Sequence, residues 1–450
     1  MRRRRRQKLP PDSIILDIEK LSHEGRGIAH IDGKVVFVGE ALPGEQVSAL
    51  YTQKREAFDQ AKTVDVIKAS IDRVEPPCRY ASICGGCSLQ HFDSEKQLAF
   101  KASVLDELLE HSLTDIQYKK MPPITGPHFA YRRKARLAVR YVYKKEQVLV
   151  GFREKNSSFI TNMDSCEVLD PQVSKLLPAL SKLIATLNAY KHIPQIEVAV
   201  GDEQPDVNSV ALVFRHLLPL GKEDLDKLSV FAEVHELDCY LQSGGPDTVF
   251  RHHPKIGVER LFYDLPEFQL KLAFHPMDFT QVNAEINRKM ITKAIELLEL
   301  TSEDKVLDLF CGLGNFSLPM AKHAEFVMGV EGSEAMVLRG KENAHRMGMD
   351  NLDFVAADLA GNFESKHWAS NGFTKVLIDP PRSGAIDILP AVAALKPTKI
   401  VYVSCNPTTL ARDAACLNEL GYKLDAAGVM DMFPQTTHVE SITLFKQAKR

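Results

Sequence analysis

Two stretches of this 450-residue sequence carry side chains able to make and break covalent bonds. Near the end, Val403-Ser404-Cys405-Asn406-Pro407 follows the strand-like run 399–403. A cysteine at a strand end, beside a pocket, is a candidate nucleophile, because its thiolate attacks electron-poor carbon. Well upstream, Asp308-Leu309-Phe310-Cys311-Gly312-Leu313-Gly314-Asn315 has the form of a loop that holds a nucleotide-type cofactor. Together they point to a transfer that needs both a bound cofactor and thiolate attack on the acceptor. Further polar groups gather at similar positions. Asp379-Pro380-Pro381-Arg382 follows a strand, its prolines making a rigid loop that aims Asp379 into the cleft, and Thr437-His438-Val439-Glu440 follows the last turn.

The elements that must position these groups alternate from about residue 276 onward. A helix is expected over 284–300. Strands are expected over 305–310, 325–331, 352–355, 375–378 and 399–403, with a helix opening near Asn315. This is the pattern of a doubly wound α/β sheet, whose site lies at the C-terminal strand ends. Glu331 ends the second strand and can accept both hydroxyls of a ribose. Asp358 follows the third strand, where a carboxylate can accept from an adenine amino group. Loop and acid together do not separate a dinucleotide from other adenosine cofactors. Cys311 reads as a packed residue of the loop, and Cys239 and Cys416 as ordinary buried thiols.

A second cluster has metal-ligand character. Cys78, Cys84 and Cys87 stand in a C-x5-C-x2-C pattern, with Gly85 and Gly86 letting the backbone turn tightly. A closed tetrahedral zinc site or an iron–sulfur cluster needs a fourth thiolate, for which Cys166 is the best candidate. Spacing does not choose between the two metals. Between these cysteines, 94–111 reads as an amphipathic helix with Leu98, Val104, Leu105, Leu108 and Leu109 on its apolar face.

The first segment, about 14–67, reads as short strands punctuated by Glu24-Gly25-Arg26-Gly27, Asp32-Gly33 and Pro43-Gly44, as in a small OB-like β-barrel. Arg2 to Arg6 read either as a solvated basic tail or as a flexible phosphate-contacting arm. In Tyr131-Arg132-Arg133-Lys134-Ala135-Arg136, strand alternation would place Arg132, Lys134 and Arg136 on one phosphate-binding face.

Composition bounds the rest. Hydrophobic content of 44 % and charged content of 26 % are those of a globular protein of two or three domains. No apolar run reaches the ~18 residues of a membrane span, and no apolar signal region follows the arginines, so a cytoplasmic location is expected. Eight cysteines in such a chain argue for metal or catalysis before disulfides. A net charge of −3 requires any nucleic-acid contact to come from local patches.

With Phe279-Thr280-Gln281-Val282-Asn283, the motifs around Asp308, Asp379, Cys405 and Glu440 closely resemble those of the RNA (uracil-5-)-methyltransferases. The segment around Gly25-Arg26-Gly27-Ile28-Ala29 and Ala41-Leu42-Pro43-Gly44-Glu45 resembles the TRAM domain of RNA-modifying enzymes. The resemblance covers nearly the whole chain. It implies a Rossmann-like S-adenosylmethionine-dependent methyltransferase domain over 275–450. Before it come a TRAM OB-like RNA-binding domain over 10–69 and a central α+β domain over 76–274, with the helix 94–112 a candidate to pack on the catalytic domain.

The resemblance further implies Cys405 as nucleophile toward C6 of uracil and Glu440 as general base. Gln281, Phe310, Asn315, Glu331, Asp358 and Asp379 would line the cofactor pocket. Asp358 departs from the amide common at its position. The subtype carrying both TRAM and the cysteine cluster implies a 4Fe–4S cluster on Cys78, Cys84, Cys87 and Cys166, 23S rRNA as partner and a monomer. Alternatives are a tRNA uridine C5 methyltransferase, an amine methyltransferase that needs no cysteine, and a non-catalytic TRAM-type RNA-binding factor.

Overall fold

The computed structural model describes residues 9–113, 117–359 and 367–448. The arginines at positions 2–6 lie outside the described residues. Three larger sheets and a hairpin organise the described residues.

The first sheet has the strand order Ile14–Asp17, Gln46–Lys54, Phe58–Lys68, Lys34–Gly39, Gly27–Ile31 and Lys20–Leu21. Alternation puts Leu16, Val36, Val38, Val47, Ala49 and Ala61 on one buried side. Its Ser22–Arg26 turn is closed by Gly25 at φ +68°. A Cβ there would stand 2.4 Å from Thr437 Cγ2, so only glycine lets this turn dock against the far end of the chain.

The second sheet runs Val249–His253, Asp238–Gln242, Val210–Arg215, Gln195–Val200, Lys134–Val142 and Gln147–Gly151. Helices Pro171–Thr186 and Lys222–Val234 supply apolar residues to the core it shares with Leu137, Val139 and Val198.

The expected basic face on Lys134–Val142 is corrected. Lys134 Nζ donates to the carbonyls of Pro276 (2.7 Å) and Asp278 (2.5 Å). Arg132 Nε donates to the Lys134 carbonyl. Of the three side chains only Arg136 is exposed, and it pairs with Glu197. Lys134 is spent holding the backbone just ahead of Phe279.

The third sheet has eight strands in the order Leu352–Ala356, Phe326–Glu331, Lys305–Leu309, Lys375–Ile378, Lys399–Ser404, Glu440–Gln447, Tyr422–Met430 and Lys119–Lys120. The first five pair in parallel, and Glu440–Gln447 is antiparallel to both its neighbours. The strand order reverses beside Lys305–Leu309, which makes a crevice at the carboxyl ends. One face packs Val306, Val327, Leu377 and Val401 against helix Ala284–Leu298. The other packs Leu307, Val330, Ile378 and Tyr402 with helix Pro407–Glu419 and with helix Ser94–Ser112. The latter helix precedes the second sheet in sequence yet buries Leu98, Val104, Leu105 and Leu109 in the third sheet's core.

The helix expected from Asn315 is a single short turn, Ser317–Ala321. It ends early because the N–H groups of Glu325 and Phe326 are already bound to the Asp304 carbonyl, which starts the next strand. No helix among the described residues is long and apolar enough to cross a membrane.

Candidate active site

Cys405 lies between strand Lys399–Ser404 and helix Pro407–Glu419. The Asn406 side chain caps this helix by accepting from the Thr408 N–H at 3.1 Å, while Pro407 takes the first helical position, where a missing N–H costs nothing. Ser404 Oγ accepts from the Asn406 N–H and donates to the Asn406 carbonyl, so the turn is tied on both sides of the cysteine. Asn406 Nδ2 and Thr409 Oγ1 both donate to the Arg382 carbonyl, joining this turn to the loop that carries Asp379.

Glu440 opens the strand beside Lys399–Ser404, where Ser441 pairs with Ser404. The Cys405 thiol, Glu440 and Asp379 therefore sit at adjoining strand ends. Burial, then the charges of Glu440 and Asp379, push the thiol up to about 11, while Arg382 and the Cys405 N–H favour the thiolate. Burial, then Asp379, pushes Glu440 up to about 8, opposed by Arg382 and Lys101. Burial alone pushes Asp379 up to about 7. Two uncharged acids beside a thiol relieve the repulsion that would otherwise oppose its ionisation.

The cofactor-type loop follows Lys305–Leu309. Phe310 adopts φ +64°, a left-handed conformation that is costly for an aromatic residue, with its N–H on the Val330 carbonyl. Glu331 accepts from the N–H groups of Gly312 (3.1 Å) and Ser333 (3.0 Å), which fixes the carboxylate over the loop. Asn315 exchanges two hydrogen bonds with Asn287 and accepts a third from the Tyr263 hydroxyl. Gln281 lines a small cleft with Tyr263, Asn287 and Arg288. Asp358 lies two residues past Leu352–Ala356, on the exposed side. Asp308 takes the Ser317 hydroxyl on one oxygen, while its other oxygen is buried without a hydrogen-bond partner. A polar ligand carrying donors fits such a loop. Phe279 is 70 % exposed.

Several residues here were not singled out by sequence. Tyr263 and Asn287 hold Asn315. Arg382 reaches His438 Nδ1 at 3.3 Å. Lys101 is wholly buried and pairs with Asp431 at 2.7 Å. The loop 431–438 ahead of Glu440 is clamped from several directions. The Ser88 and Leu89 N–H groups both donate to the Gln435 carbonyl, Gln97 exchanges two hydrogen bonds with Gln435, and the Tyr131 hydroxyl donates to the Pro434 carbonyl.

Cys78, Cys84, Cys87 and Cys166 converge although Cys166 comes from beyond Gln147–Gly151. None of the four is in a disulfide. Burial pushes Cys87 up to about 12 and Cys166 up to about 11, and each feels the charge of Cys84 and Cys78. The Gly86 N–H donates to Cys84 Sγ at 3.4 Å, and the N–H groups of Val168 and Leu169 favour the Cys166 thiolate. Among the described residues no group of three or more Cys, His, Asp or Glu is drawn together tightly enough to clasp a metal ion as placed.

A profile of the family described as tRNA (Uracil-5-)-methyltransferase matches residues 93–448, and one of the TRAM domain matches residues 14–58. The chain is 50 % identical over 447 residues to a 23S rRNA (uracil(1939)-C(5))-methyltransferase of Alcanivorax borkumensis, covering 99 % of each. It is 51 % identical over 445 residues to an enzyme of the same description from Alkalilimnicola ehrlichii, again covering 99 % of each. Among solved structures, a Pyrococcus abyssi tRNA (uracil-54, C5)-methyltransferase in complex with S-adenosyl-L-homocysteine superposes with a TM-score of 0.74. That likeness covers 96 % of this chain and 100 % of the other at 23 % identity, and concerns the fold.

Proposed function

The chain belongs to the tRNA (uracil-5-)-methyltransferase family and is a methyltransferase, and on that premise we propose that it methylates C5 of one uridine in 23S rRNA. The observation that carries the reading is the meeting of Cys405, Glu440 and Asp379 at adjoining strand ends of the sheet that bears the cofactor loop.

Uracil C5 is a weak nucleophile in the neutral base. Addition of the Cys405 thiolate to C6 moves an electron pair onto C5 and the C4 carbonyl. Gln281, Phe310, Asn315, Glu331, Asp358 and Asp379 would hold S-adenosylmethionine, which would supply the methyl group to C5 by breaking its sulfonium–methyl bond and would leave as S-adenosylhomocysteine. Glu440 then removes the C5 proton, the C5–C6 double bond re-forms and the Cys405 thiolate leaves. Protonated Glu440 suits the first step and ionised Glu440 the last. A value of about 8 lets one side chain visit both states near neutral pH. The uridine must leave its stack to reach Cys405, and exposed Phe279 lies ready to stack on the opened RNA.

The four cysteines would hold a 4Fe–4S cluster. Buried thiols that share charge and receive N–H donors suit a thiolate-bound centre. The cluster would staple the segment after the first sheet to the second. The first sheet would supply RNA contact, and the enzyme would act as a cytoplasmic monomer.

The test is mass-spectrometric mapping after incubating the protein with S-adenosylmethionine and unmodified 23S rRNA, with Cys405→Ala alongside. One 5-methyluridine made only by wild type is expected. Methylation of tRNA instead would overturn the substrate, and full activity in Cys405→Ala the mechanism.

A further inference from the structure

Helix Ser94–Ser112 carries a lysine where its packing calls for an apolar residue. Lys101 lies three residues after Leu98 and four before Leu105, on the stripe buried against the third sheet, and is 0 % exposed. Its Nζ donates to Asp431 Oδ1 at 2.7 Å and to the Phe433 carbonyl at 3.0 Å. Asp431 is also buried. Taking both charges out of water costs several kcal/mol, and apolar side chains of similar volume commonly stabilise such a position as well or better. Stability alone therefore does not explain the pair.

Its location does. Asp431 follows Met430, whose register partner across the sheet is Glu440. Lys101 and Glu440 each feel the other's charge. The groups whose charge reaches Glu440 or is reached by it are Asp379 and Arg382 from the loop after Lys375–Ile378, Cys405 from the turn after Lys399–Ser404 and Lys101 from the helix, while Asp431 and His438 belong to the loop ahead of it. Of the two cations, Arg382 is exposed and turned toward His438, where solvent and salt screen it. Lys101 is walled off from solvent.

Resting on the reading of Glu440 as the base, we propose that Lys101 is a positioning residue for the proton-removing step. Held by Asp431 behind the strand end, its ammonium makes a carboxylate at Glu440 tolerable beside Asp379, so that Glu440 can receive the C5 proton. Loss of Lys101 leaves nucleophilic addition and methyl transfer intact and slows the final elimination.

The test compares wild type, Glu440→Gln, Lys101→Met and the double variant Lys101→Met/Asp431→Leu, which replaces the whole buried pair and so avoids a stranded aspartate. Two readouts are followed: the pH dependence of 5-methyluridine formation, and the fraction of protein trapped covalently on RNA after a denaturing quench. In Lys101→Met the rising limb should move up by about one pH unit, so that the rate at pH 7 falls about tenfold and recovers toward pH 9, and in the double variant, which also removes the Asp431 charge, it should move the same way by less. Methylated covalent adduct should accumulate, while affinity for S-adenosylhomocysteine stays unchanged. A wild-type pH profile in the double variant, with Glu440→Gln impaired, overturns the role of Lys101 and reduces it to a counterion for Asp431. An unimpaired Glu440→Gln overturns the reading of Glu440, and this inference with it.

Discussion

The side-chain amide of Asn406 donates to the backbone carbonyl of Arg382 at 3.0 Å, locking the turn that carries the thiol to the loop that carries Asp379. The same side chain caps the helix behind the thiol. Asn406→Ala should therefore lower the turnover rate by about tenfold to a hundredfold through misplacement of Cys405, with little change in cofactor affinity. Steady-state kinetics beside calorimetric binding of S-adenosylhomocysteine separates the two effects.

Glu440 gives a stability signature opposite to that of a salt-bridged acid. Its value of about 8 lies above the ordinary 4.5, so the fold favours the protonated form. That stabilisation is fully present below pH 4.5 and is lost as pH rises through about 8. Glu440→Gln, which cannot ionise, should melt with wild type near pH 4.5 and progressively above it up to pH 8, with the gain levelling off beyond. Thermal melts across this range check the sign, and a constant offset would contradict it.

On the proposed reading of Asn315 as a cofactor-pocket residue, Tyr263 and Asn287 act on the cofactor by holding Asn315. Tyr263→Phe removes one hydrogen bond to Asn315 and should weaken S-adenosylhomocysteine binding by about 0.5–1.5 kcal/mol. Asn287→Ala removes the acceptor of Asn315 Nδ2 and leaves its Oδ1 only the Tyr263 hydroxyl, and should cost about 1–3 kcal/mol. Titration calorimetry measures both.

Anaerobically isolated protein should be brown with broad visible absorption. Serine at any of Cys78, Cys84, Cys87 or Cys166 should bleach it. Colourless protein holding one zinc per chain would reject the iron–sulfur assignment. Because the Ser88 N–H, next to Cys87, holds the Gln435 carbonyl, the same substitutions should also raise hydrogen exchange around loop 431–438.

Much of the catalytic sheet is legible from sequence because its parallel strands are short apolar runs bounded by turn residues, as in 305–309, 375–378 and 399–404. Cys405, Glu331 and Asp379 stand out because each terminates such a run. The helix near Asn315 opens within two residues of where the sequence puts it, but its short extent leaves no signal, since nothing local reveals that Asp304 claims the next two N–H groups. The basic run at Arg132–Arg136 misled because alternation describes which side a residue takes, not what it meets there. The clamp on Gln435 could not be read, because it joins segments 338 residues apart. Lys101 did leave a signal, a lone cation within an apolar helical stripe.

That helix also changes what counts as the catalytic unit. Leu105 and Leu109 are buried against the same face as Leu307 and Tyr402, so a fragment beginning at residue 275 would expose an oily trench along its sheet. Leu109→Ala should already cost about 2–5 kcal/mol. The piece of chain able to carry this activity from one protein to another is thus split, with a short strip from the front half travelling with the back. A cut or graft that respects only sequence order severs the enzyme from part of its own foundation.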